Sequence, residues 1–160
     1  MLTLIRDLFL YQSWADATLL AAAAAEPRAA SDERLLQLLH HAVTVQRYFL
    51  SLILDKHFDA AASQSPPASL SALAAVYRET EAEFRDCLMG LGEEDLTARR
   101  LAVPFIQANP MLGEALMQVT LHGQNHRGQG LTRLRELGAK PPTLDYIIWT
   151  KSRPGAAWPE

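Results

Sequence analysis

Four long stretches of the chain place apolar residues every three or four positions, and proline or glycine separates them. That spacing is the period of a helix with one buried face. The first stretch predicts a helix from about Leu2 to Ala25, with Leu4, Leu8, Tyr11, Ala15, Leu19 and Ala22 inward and Pro27 ending it. The second begins after Ser31 as N-cap, with Asp32 and Glu33 in its first turn, where carboxylates favour the helix dipole. It turns Leu35, Leu38, Ala42, Val45, Phe49 and Leu52 inward and ends near Phe58. The run AASQSPPAS that follows reads as a loop. The third helix spans about Leu70–Met89, buries Leu73, Tyr77, Phe84 and Leu88, and stops at Gly90 and Gly92.

Residues 93–109 carry no helical period, and a short strand in RRLAVPFIQ would be confined to an edge by Pro104. Asn109 as cap and Pro110 at the first helical position open a fourth helix, which Gly138 closes after Leu137. Thr143 is placed to cap a short final helix, TLDYIIW. The expectation is an all-α four-helix bundle with a long crossover between helices 2 and 3 and a short C-terminal helix. Residues 1–150 form one domain, and the tail 151–160 is expected to be flexible.

With 160 residues the chain suffices for one domain with its own core. Its net charge of −3 lacks the long-range attraction to phosphate that nucleic-acid binders show, and no recognition motif is present. The basic residues Arg127, Arg133, Arg135 and Lys140 read as helix-end chemistry. No apolar run is continuous enough for a signal peptide or a membrane span. The single Cys87 precludes an internal disulfide and suits a reducing, cytoplasmic setting; it falls on an apolar stripe and reads as a core residue.

The last long helix contains HGQNHRGQG. His122 and His126 are four apart and share one face. Extending the stripe of Leu112, Leu116 and Val119 by three reaches His122, and four more reach His126, so both rings are expected inside the bundle. On the second helix, the step from Leu38 selects His41 over His40, while His57 falls near a helix end. Three imidazoles from two helices match the ligand set of an open divalent-metal site. A lone HxxxH is common, and the plainer alternative is a set of core histidines that each find a hydrogen-bond partner. Gly123, Gly128 and Gly130 each cost about 1 kcal/mol against alanine inside a helix. Close helix approach, substrate access, or both would account for them.

The run from His122 through Arg127, Gly128 and Gln129 to Leu134–Gly138 and Pro141–Pro142 resembles the damage-inducible DinB-like (DinB/YfiT-type) family, with its His-x-x-x-His-Arg-Gly-Gln pattern. YQSWAD in the first helix and HAVTVQRYFL in the second are similar to weaker family motifs. The resemblance covers nearly the whole chain. It implies a four-helix bundle with one long crossover, often a homodimer, and a divalent metal held by His41, His122 and His126. Two departures bear on chemistry. Gln46 stands where the family often has an acidic residue, and Asp16 replaces an asparagine and either holds a ligand imidazole or lies on the helix surface.

The resemblance further implies a metal-dependent transferase of the thiol type, in which zinc, nickel, iron or manganese would bind a low-molecular-weight thiol beside a second small molecule. A non-catalytic, metal-stabilised stress-response or binding protein is the alternative, as is a metal-dependent hydrolase. The latter needs a general base that no neighbouring carboxylate supplies.

Overall fold

The computed structural model describes residues 1–160. Its long helices are α1 (Leu2–Ala24), α3 (Glu33–Ile53), α4 (Leu70–Met89) and α6 (Leu112–Glu136). Three four-residue helices, α2 (Pro27–Ala30), α5 (Asp95–Ala98) and α7 (Tyr146–Trp149), lie between or after them. No helix is long and apolar enough to cross a membrane.

Cross-helix contacts fix the topology. Arg6 near the start of α1 donates to the Leu88 carbonyl near the end of α4, so these two run antiparallel. Tyr77 in α4 donates to the Leu39 carbonyl early in α3, and Lys56 just past α3 pairs with Glu83 late in α4. Those two therefore run parallel. Asp16 meets Arg127 and Leu19 meets Gly130, so α1 and α6 are parallel as well. The order is up, down, down, up. Residues 54–69 must travel the length of the bundle, which is the expected crossover.

Local chemistry sets the ends. Asp32, one residue beyond the expected Ser31, caps α3 by accepting from Leu35 N at 2.8 Å. The same helix stops at Ile53, short of Phe58, because Asp55 turns left-handed (φ 53) and Lys56 N bonds back to Ser51 O at 2.8 Å. Gly138 (φ 90) closes α6 with the same pattern, Ala139 N reaching Leu134 O at 3.0 Å. α6 starts at Leu112, two residues after Pro110, where the Glu114 carboxylate accepts from Met111 N at 2.7 Å. Segment 99–111 forms no strand. It makes two isolated bridges, Arg100 with Met111 and Val103 with Ala108, around a 3₁₀ turn that begins at Pro104. α7 begins at Tyr146, later than Thr143. In the segment 151–160, Trp149 Nε1 donates to the Pro154 carbonyl, Arg153 pairs with Asp7, and the Trp158 ring lies 6.3 Å from that of Tyr77.

The inward face of α1 keeps Tyr11, Ala15 and Leu19 of the sequence stripe but is broader than it. Leu4 is 54% exposed, whereas Ile5, Phe9, Gln12, Asp16, Leu20 and Ala23 are buried. Two apolar clusters result. One joins Ala15–Ala23 of α1, Leu35–Val43, Leu70–Tyr77, Leu134 and Trp149. The other joins Leu2–Phe9, Phe49–Ile53, Phe84, Leu88, Leu101 and Leu112–Val119. Between them lies a buried polar layer. Asp16 (5% exposed) pairs with Arg127 (3%) at 2.9 Å and accepts from Gln46 Nε2 at 3.2 Å. Burial pushes the Asp16 carboxyl pKa up, while the Arg127 guanidinium and the Gln46 amide pull it back. Arg127 also sits over the Tyr11 ring, and Tyr11 donates to the Leu144 carbonyl at 2.5 Å. Neither reading offered for Asp16 holds, because it is neither on the surface nor bonded to an imidazole. Arg127 likewise is an interior ion-pair partner; helix-end chemistry fits Arg133, which joins Asp32 and Glu136.

Removing one member of a buried ion pair strands the other charge. Asp16→Ala is expected to lower stability by about 3–5 kcal/mol in urea unfolding, and Asp16→Leu combined with Arg127→Met to restore most of it. Equal losses in the single and double variants would refute this account of the layer.

Candidate metal centre

α3 and α6 pack side by side, and each contributes to a cluster on their seam. His41 comes from α3, and His122 and His126 from successive turns of α6. Their ring centroids are separated by 5.3 Å (41 to 122), 4.9 Å (41 to 126) and 4.4 Å (122 to 126). One nitrogen of each ring lies within 4.8 Å of the others. His40 turns aside, its ring nitrogen 3.3 Å from Thr44 Oγ1, and His57 is exposed. The spacing argument thus selected the three histidines that converge.

The depth of the cluster differs from expectation. His41 is exposed and the other two are half-buried, so the rings open to solvent at the seam and do not enter the core. The reason is visible along α6. Its buried row runs Leu112, Leu116, Val119, Gly123, Arg127, Gly130, Leu134, and the histidines flank that row by one position. Gly123 and Gly130 belong to it because α1 comes close. A Cβ on Gly123 would lie 2.8 Å from Gln12 Oε1, and one on Gly130 would lie 3.0 Å from Leu19 Cδ2. Close helix approach therefore explains both. Gly128 faces open space, and nothing in the structure explains it.

The environment of His122 and His126 favours the neutral ring. Burial, then the neighbouring His126 and His41, push the His122 pKa down to about 4. Burial also lowers that of His126, against the opposing hydrogen bond to Gln129. His126 Nδ1 stands 2.9 Å from Gln129 Oε1. With that oxygen accepting, Nδ1 holds the proton and Nε2 keeps its lone pair. His122 Nε2 is enclosed with no hydrogen-bond partner. An orphaned ring nitrogen beside two other imidazoles fits the donor set of a divalent cation. Beside His41 an open cleft is lined by Arg34, Gln37, Gln129, Thr132, Arg133 and Glu136.

Sequence reasoning missed Gln12, whose side chain fills the space left by Gly123. The signal available was the pair of glycines in the buried row, which mark where another helix comes near. Gln46, noted as a departure, is buried and serves Asp16. Cys87 is half-buried, and burial raises its thiol pKa, in keeping with a packing role.

Four long helices with two parallel neighbours, and histidines from the second and last of them meeting on one seam, define a histidine-bearing bundle able to hold a metal. The DinB family model matches residues 5–156, and the chain belongs to the DinB family. Its fold is similar to the crystal structure of a DinB-like protein from Bacillus cereus ATCC 10987, with a TM-score of 0.62 and 21% identity, covering 88% of this chain and 92% of that one. No curated protein matches the chain.

In metal-free protein, His122 is expected to stay neutral until the pH approaches about 4, as read by the ring resonances in NMR. The unfolded ring titrates near 6.5. Below that value the unfolded chain binds more protons, so the stability of the metal-free protein should decline as pH falls from about 6.5 towards 4. A His122 titration near 6.5 would contradict the burial described.

Proposed function

We propose that His41, His122 and His126 hold one divalent metal ion with a coordination position left open, and that the chain is a metal-dependent transferase of the thiol type. One observation carries the reading: three ring nitrogens from two helices lie within 4.8 Å of one another, with His122 Nε2 enclosed and unpartnered. Zinc, nickel, iron and manganese all accept such a set. When bound, an ion of this kind acts as a Lewis acid that lowers the pKa of a thiol at its open position.

The chain's own residues supply the rest. Gln129 fixes the tautomer of His126. His41, on the exposed side of the cluster, leaves an approach from solvent. The adjoining cleft, with Arg34, Gln37 and Thr132, offers polar anchors to the charged tail of a low-molecular-weight thiol. A reducing compartment such as the cytoplasm would keep that thiol available. The open seam favours exchange of ligands over a closed, purely structural site. Hydrolysis ranks below transfer because Asp16 and Glu136 are both engaged by arginines and no carboxylate joins the cluster. Homodimer formation belongs to this reading through family membership, and Leu121 on α6 offers exposed apolar surface for it.

Protein purified without a histidine tag is expected to carry about one divalent ion per chain, and His122→Ala and His126→Ala to lose it, measured by elemental analysis. In a cobalt-substituted sample, titrated thiol should shift the visible absorption. A metal-loaded protein with no thiol response would leave the structural reading standing and remove the transferase one.

A further inference from the structure

Away from the histidines, a cavity of about 180 Å³ opens between α1 and α4. Phe9, Phe84 and Leu88 wall it, and Trp158 of the C-terminal segment borders it. Its inner end is polar and belongs to the buried layer: Gln12, Ser13, Asp16 and Gln46 all line it, and each is more than nine-tenths buried. The Asp16 oxygens are taken by Arg127 and Gln46, so that end presents no net charge. Other groups there are free. Gln12 makes no side-chain hydrogen bond; its Oε1 is enclosed against Gly123 of α6, so its amide N–H is the group it offers the cavity. Gln46 spends its amide N–H on Asp16 and keeps its carbonyl oxygen unpaired. Buried amides left this way are costly unless a water or a ligand meets them.

We infer that this cavity binds a small uncharged molecule with one apolar ring and a carboxamide-type head. The volume exceeds the roughly 150 Å³ that suffices to hold benzene. At the inner end Arg127 and Asp16 are engaged with each other, and at the rim Arg6 donates to the Leu88 and Leu91 carbonyls while Glu81 and Arg85 pair at 3.9 Å, so neither an anion nor a cation finds an unengaged side chain. A head that presents a donor and an acceptor side by side matches the unpaired glutamine groups. An apolar wall with a few convergent polar groups is the usual make-up of a small-molecule site.

Benzamide is the probe, with toluene, benzoate and benzylammonium for comparison, in amide-resolved NMR of the full chain. Benzamide is expected to shift residues around Gln12 and Phe84 saturably, at millimolar affinity or tighter. Toluene should bind about tenfold more weakly and the two ions not measurably. Gln46→Leu should weaken benzamide about tenfold and spare toluene. Should that variant fail to fold, ligand-to-protein NOEs from the benzamide ring to Phe9 and Phe84 in the unaltered protein provide the same support. Equal affinity for toluene and benzamide would overturn the polar-head assignment. Absence of saturable shifts at α1 and α4 would overturn the site and leave a cavity filled by water alone.

Discussion

The bundle depends on one buried ion pair. Asp16 and Arg127 meet at 2.9 Å between two apolar clusters, with Gln12, Gln46 and Tyr11 around them. Replacing such a pair by apolar residues commonly leaves stability unharmed, so net energy is a poor account of its presence. Its effect is on register. If α1 slid one turn along α6, one charge would be buried without its partner, and the glycines would no longer face Gln12 and Leu19. The polar layer thus sets the height at which the helices meet.

The histidine cluster inherits that height. Arg127 directly follows His126, and Gln46 lies little more than one turn after His41. Residues on one flank of α3 and α6 reach the ion-pair layer, and residues on the adjoining flank reach the seam. Anchoring the first set fixes the second, so the three imidazoles converge although His41 belongs to a different helix from the other two. Histidines on an open seam keep solvent access that a core location would deny them, while His122 Nε2 is shut away without a partner.

Much of this was legible in the sequence, for physical reasons that can be named. Helix periodicity gave the four long helices, and the approximate bounds Leu70–Met89 agree with the structure, where Ser69 caps that helix and Gly90 follows its end. The same periodicity chose His41 over His40. It failed wherever a buried position is polar or small. Asp16, Gln12, Gln46 and Arg127 do not look like core residues, so the polar part of the buried face of α1 was missed and the histidines were placed one position too far inward. An ion pair spanning 111 residues has no local signature. The left-handed Asp55 that ends α3 is also invisible to an apolar pattern. Family resemblance implied the crossover and pointed to the same three histidines as the spacing did, but not to their depth.

The parallel pairing of the first and last long helices bears on how the chain is made. Synthesis proceeds from the N-terminus, and α1 finds its ion-pair partner only when α6 has emerged. Until then, in the nascent chain, Asp16 has the Gln46 amide but no guanidinium to pair with, among the apolar residues of α1, α3 and α4. Such a species is soft and sticky, and contacts of long sequence separation close slowly. Completion of the fold is therefore tied to the synthesis of α6, and a ribosome that stalls before Arg127 would release a chain suited to chaperone capture and proteolysis.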